Sequence, residues 1–148
     1  MSYSGYVPII KDFIHHRVSQ DRVPTLLEIG IDRGTTLIPL VAFLARTRPR
    51  FVSVGIDVKV QEQVSIVLAH LDLTPEQLTF CIEGNSLEVW PKMVSQGMRF
   101  DVVLVDGDHN YHTVSRELAL LEDLVLPGAL VICDDYNGRW SERDMWYS

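Results

Sequence analysis

Three acidic residues mark the ends of three apolar runs in a fixed order. Glu28 sits in Thr25-Leu26-Leu27-Glu28-Ile29 just ahead of Gly30, Asp57 follows Phe51-Val52-Ser53-Val54-Gly55-Ile56, and Asp106 follows Val102-Val103-Leu104-Val105. A fourth run, Ala129 to Cys133, leads into Asp134 and Asp135. Hard divalent cations take carboxylate oxygens, and Mg²⁺ keeps several waters and needs few protein ligands, so Asp106, Asp134 and Asp135 are candidate metal ligands. Converging acids without a cation would repel one another. Solvated turn acids are the plainer reading, and it is preferred for Asp108, which alternates away from Asp106 and suits a cap for a helix starting near Asn110. His109 follows Asp106 by three residues and has an ordinary pKa near neutrality, which suits a general base.

The other polar positions each have two readings. Glu28-Ile29-Gly30-Ile31-Asp32-Arg33-Gly34 lies between a strand and a helix, where glycines let the backbone approach a ligand and the helix presents its first amides. It lacks the G-x-G-x-x-G run of a dinucleotide site, so NAD is disfavoured. Asp57 has two oxygens with which to accept both hydroxyls of a ribose, or it caps the following helix. In Glu83-Gly84-Asn85-Ser86, Ser86 caps the next helix, or Asn85 and Ser86 hydrogen-bond an adenine edge.

These residues need elements that bring them to one place. Short β-branched runs at Thr25 to Ile29, Phe51 to Ile56, Leu78 to Ile82, Asp101 to Val105 and Ala129 to Cys133 alternate with helically spaced segments. The helices are expected at Val7 to Val18, Thr36 to Arg46, Gln61 to Leu71, Leu87 to Ser95 and His112 to Leu124. Such alternation implies βαβ units with right-handed crossovers, hence an α/β, doubly wound, Rossmann-like parallel sheet in the order 3-2-1-4-5. In an open sheet of this kind ligands bind outside the carboxyl ends of the strands, where the acids fall. Leu126-Pro127-Gly128 reads as a helix stop and a turn into the last strand.

At 148 residues and 47% hydrophobic, the sequence reads as one domain spanning 1–148. A net charge of −7 argues against a nucleic-acid partner held through its phosphates and favours a small polar molecule. Cys81 and Cys133 lie inside apolar runs and suit reduced, buried thiols, from which a cytoplasmic setting is expected. The sequence shows neither an export signal pattern nor an apolar stretch of bilayer-spanning length, so no membrane association is expected.

Taken together, Glu28-x-Gly30-x-x-x-Gly34, Asp57, Gly84-Asn85-Ser86, Asp106-Gly107-Asp108-His109-x-Tyr111, Leu126-Pro127-Gly128-Ala129 and Asp134-Asp135-Tyr136 resemble a class I S-adenosylmethionine-dependent methyltransferase. Within that superfamily the chain is most similar to the metal-dependent small-molecule O-methyltransferases of the macrolide-sugar and catechol types. The resemblance implies that Glu28 and the turn Gly30 to Gly34, with Thr35, hold the methionine part of S-adenosylmethionine, Asp57 its ribose, and Asn85 with Ser86 its adenine. It implies Asp106, also on the cofactor side, with Asp134 and Asp135 as ligands of Mg²⁺ or another divalent cation, and His109 as the base acting on a small-molecule hydroxyl. Catechol-type relatives carry a lysine at the His109 position, which places this sequence nearer the sugar branch. Family members add a helix and two more strands, and the resemblance implies a sheet without the usual strands 6 and 7 here. The fifth-strand edge is then expected to pair with a second copy or partner, or to be covered by the tail Trp140 to Tyr147. Two other functions compete: a truncated, non-catalytic binder of S-adenosylmethionine or S-adenosylhomocysteine serving as sensor or assembly partner, and a glycosyltransferase reading Asp106-Gly107-Asp108 as a sugar-nucleotide motif.

Overall fold

A computed structural model describes residues 5–105 and 121–133, and the backbone of 144–147. Its elements run α1 (Tyr6–Arg17), β1 (Thr25–Ile29), α2 (Leu37–Thr47), β2 (Phe51–Asp57), α3 (Glu62–His70), β3 (Gln77–Glu83), α4 (Ser86–Ser95), β4 (Phe100–Val105), β5 (Val125–Cys133) and β6 (Asp144–Tyr147). The sheet order is β3-β2-β1-β4-β5-β6, so the expected 3-2-1-4-5 arrangement is present. β1 to β5 pair in parallel, and β6 adds antiparallel to β5. The backbone of the tail thus occupies the outer edge of β5, the second of the two arrangements expected for that edge.

Period-two burial explains the layers. Leu26, Val102, Leu104, Leu130 and Ile132 share a cluster with residues of α1, α2 and α3, while Leu27, Ile29, Val103, Val105, Val131 and Cys133 share one with Trp90 and Met93 of α4. Both faces of the central strands are covered, which is why these strands read as continuous apolar runs. The helices bury matching stripes, such as Ile10, Phe13 and Ile14 on α1 and Leu37, Leu40, Val41 and Leu44 on α2. Among the described residues no helix is long and apolar enough to cross a membrane.

One expected turn is placed differently. Val125 already pairs with Phe100, and the register then shifts so that Leu130 meets Val102. Leu126-Pro127-Gly128 therefore forms an irregularity within β5, with Gly128 at φ 79°, and does not precede the strand. The chain leaves its helical turn earlier, where Leu124 N–H donates to Leu121 O. Pro cannot donate to a ladder and is tolerated at such an irregularity.

The row Cys81, Gly55, Glu28 runs laterally across β3, β2 and β1. Gly55 is needed there. A Cβ on it would lie 2.7 Å from Cδ1 of Ile31 and 3.1 Å from Cδ2 of Leu37, and Ile31 and Leu37 are fully buried. Gly55→Ala should therefore destabilise the fold by about 1–3 kcal/mol through overpacking. The check is a lower urea midpoint at unchanged slope.

Candidate functional site

The carboxyl ends of β1, β2 and β3 are laced into one rim beyond the ladder itself. Gly30 N–H donates to Ile56 O at 2.7 Å, and Gly84 N–H donates to Asp57 O at 2.8 Å. Gly30, Asp57 and Gly84 are thereby adjacent in space, on the side where an α/β sheet binds ligands.

The turn after β1 has an unusual backbone that its sequence permits. Gly30 has φ 93°, Asp32 φ 51° and Gly34 φ 80°. Glycine tolerates such angles without a Cβ clash, and Asp is among the few other residues that visit them. The turn is closed by Gly34 N–H donating to Ile31 O at 2.9 Å, and Ile38 N–H donates to Gly34 O at 3.0 Å as α2 begins. Gly34 is also spatially required, because a Cβ would lie 2.7 Å from Cδ1 of Ile38. Thr35 is exposed at the mouth of α2.

Asp57 fastens this turn to the second strand. Its Oδ2 accepts from the backbone N–H of Asp32 at 2.9 Å, and Gln61 Nε2 donates to Asp32 Oδ1 at 3.4 Å. Asp57 is not a helix cap, since α3 begins five residues later with Gln61 in the N-cap position. At β3, Glu83 Oε1 accepts from Val60 N–H at 2.9 Å, which ties the loop after β2 to the third strand end. Asn85 is the N-cap of α4, its Oδ1 accepting from Leu87 N–H at 2.9 Å. The cap falls to Asn85 because Ser86 is already helical and buried.

Glu28 lies deeper than the rim. It is 1% exposed, one residue before the end of β1, on the face covered by α1 and α2. Across the side-chain gap at Gly55 its charge acts on Cys81. Burial pushes the Cys81 thiol up, and the Glu28 carboxylate adds to the rise. Sequence reading missed Ile31, Gly55 and Gln61, the groups that hold the turn in place. A glycine inside an apolar strand was the available signal, since it often marks a close approach.

Asp106, His109, Asp134 and Asp135 lie outside the described residues. Val105 and Cys133, which directly precede two of them in the chain, are register partners on adjacent strands. Among the described residues no group of three or more His, Cys, Asp or Glu side chains could hold a metal ion.

A family model described as a methyltransferase domain matches residues 27–136. A comparison with curated proteins yields no match. Several solved structures share the fold. MycE methyltransferase from mycinamycin biosynthesis, solved with Mg, SAH and mycinamycin VI, aligns at TM-score 0.62 and 23% identity over 92% of this chain and 36% of its own. The TDP-rhamnose 3'-O-methyltransferase of calicheamicin biosynthesis aligns at TM-score 0.63 and 16% identity, over 86% of this chain and 62% of its own. MNMC2 from Aquifex aeolicus aligns at TM-score 0.69 and 14% identity, over 86% and 48%. The chain thus spans about a third of the MycE structures it matches.

The Cys81 shift fixes a pH dependence. The folded state favours the neutral thiol, so this contribution to stability is complete below the unfolded thiol range near about 8.5 and is lost as pH rises through the higher folded value. Unfolding free energy measured across mildly alkaline pH should fall in the native chain and fall less in Cys81→Ser.

Proposed function

Because the chain belongs to the methyltransferase-domain family and has the class I fold, we propose that it binds S-adenosylmethionine at the β1–β3 rim and transfers its methyl group to a small-molecule hydroxyl. The observation that carries this reading is the bond from Asp32 N–H to Asp57 Oδ2, which joins the glycine turn to the acid at the next strand end. One carboxylate oxygen shapes the turn, leaving the other to accept from a ribose hydroxyl.

The residues present fit the cofactor. The turn Gly30 to Gly34 with Thr35 would receive the methionine part, and Asn85 with Ser86 the adenine. Asn85 caps through Oδ1, so its amide nitrogen remains for a base edge. Glu28, buried below, would act through the turn's position rather than by touching the ligand. O-methylation is supported by two structural neighbours, the caffeoyl-CoA O-methyltransferase-like protein from Staphylococcus aureus and the TDP-rhamnose 3'-O-methyltransferase, and by the acids that follow Val105 and Cys133. Asp106, Asp134 and Asp135 would hold a divalent cation, which when bound lowers the pKa of an acceptor hydroxyl. His109 would accept the hydroxyl proton, and the rim would position the acceptor oxygen in line with the methyl group.

Binding without catalysis, as a sensor or assembly partner, is the second reading. Calorimetry with S-adenosylmethionine, with and without Mg²⁺, followed by methyl-transfer assays on phenolic and sugar hydroxyls, separates the two. Binding with turnover supports the enzyme, and binding with no turnover on any acceptor supports the sensor. Asp57→Ala should weaken cofactor binding by about 1–3 kcal/mol, the cost of a lost charged hydrogen bond. His109→Ala should leave cofactor affinity intact and slow turnover by roughly 10²–10⁴-fold.

A further inference from the structure

We propose that the outer edge of β3 receives a second copy of this chain, the two β3 strands pairing antiparallel about a twofold axis at Phe80. Among the described residues the sheet ends at the short antiparallel β6 on one side and at the longer β3 on the other. Apart from Glu83 at its end, β3 has few of the usual sequence protections of an edge. Gln-Leu-Thr-Phe-Cys-Ile-Glu contains no Pro, Lys or Arg, and its register with β2 is unbroken from Gln77 to Glu83. β3 also exposes apolar side chains on its α4 face, Leu78 and Phe80. Among the described residues the large exposed hydrophobics are Ile9, Val58, Ile66, Val67, Leu78 and Phe80, and two of the six lie on β3. Leu78 is 41% and Phe80 47% exposed.

The strand is self-complementary, which is what a twofold interface requires. Read outward from Phe80 in either direction, it presents a small residue (Thr79 or Cys81), a branched aliphatic (Leu78 or Ile82) and a polar end (Gln77 or Glu83). The backbone agrees with that centre. Glu76 O accepts from Phe51 N–H and Gly84 N–H donates to Asp57 O, so the even-numbered groups of β3 face β2. By alternation Thr79 and Cys81 face outward. In the twofold pairing Thr79 meets Cys81 of the second copy, and each such pair exchanges both of its N–H···O bonds. Phe80 then meets Phe80 of the second copy at a non-hydrogen-bonded position, with Cα atoms about 4.5 Å apart, and Leu78 packs on Ile82.

Charge is compatible with this register. Glu83 is the sole charged residue of β3, and the pairing sets it opposite Gln77, at the end where Arg50 approaches Glu76 at 3.8 Å. No like charges oppose each other across the strands, a condition that matters for chains of net charge −7.

Sedimentation velocity on the full chain, from micromolar to tens of micromolar, tests this. A reversible dimer is expected. Phe80→Lys should convert it to monomer, and so should Thr79→Pro, which removes an outward N–H and spares the bonds to β2. Both variants should keep the native circular dichroism spectrum, and their melting temperature should no longer depend on protein concentration. In a Cys81→Ser background, Phe80→Cys should form an interchain disulfide on mild oxidation, because the expected Cα separation suits one, and Leu78→Cys should not. A monomer at every concentration overturns the proposal. So does a dimer that survives both Phe80→Lys and Thr79→Pro, or one that crosslinks through Leu78→Cys instead of Phe80→Cys.

Discussion

The rim depends on one close contact: Ile31 seated where Gly55 has no side chain. Ile31 belongs to the turn after β1 and Gly55 to the middle of β2, and they approach so closely that even a methyl group on Gly55 would clash. Seating Ile31 anchors the turn over the neighbouring strand, and the next residue, Asp32, then turns its N–H to Asp57. Asp32 takes a positive φ to do so. That local cost is of order 1 kcal/mol, and a bond to a carboxylate together with a fully buried isoleucine offsets it.

The two rims of the sheet are built on opposite principles. At the amino end polar groups are consumed by internal partners. Asp101, almost fully buried, accepts from Arg22 at 2.6 Å and from Thr25 N–H at 3.0 Å, and its own N–H donates to Thr25 Oγ1. Gln77 Nε2 donates to the carbonyls of Ala45 and Arg48, which closes the end of α2. At the carboxyl end the acids Asp57 and Glu83 accept backbone N–H groups through a single oxygen each. One rim is saturated and gives rigidity, while the other retains acceptor capacity for a ligand.

The layers were legible because burial on both sheet faces writes itself into the sequence as apolar runs of strand length separated by helical stripes. β1 was legible to the residue, and β2 and β3 differ from their sequence spans only at their ends. The rim location of Gly30, Asp57 and Asn85 was legible for the same reason, since residues after parallel strands must share an edge. What the sequence did not disclose depends on packing between elements. The cap of α4 went to Asn85 rather than Ser86, and the bond from Asp32 N–H to Asp57, which sets aside the alternative reading of Asp57 as a helix cap, had no signal in the sequence. Pro127 and Gly128 looked like a boundary because breakers ordinarily end elements, yet β5 absorbs them by a shift in register. Glu28 is buried on the helix-covered side of β1, a placement that alternation with Leu26 explains.

Arg48 has a consequence for where this domain begins. It is 3% exposed, and its guanidinium donates to the carbonyls of Ile14, Val18 and Ser19, gathering the loose end of α1 against α2. The family match starts only at residue 27, after α1. A fragment cut at that point would lose the three acceptors and bare the apolar surface that Ile10, Phe13 and Ile14 cover, with a cation stranded at its margin. The first helix is therefore an integral wall of the domain.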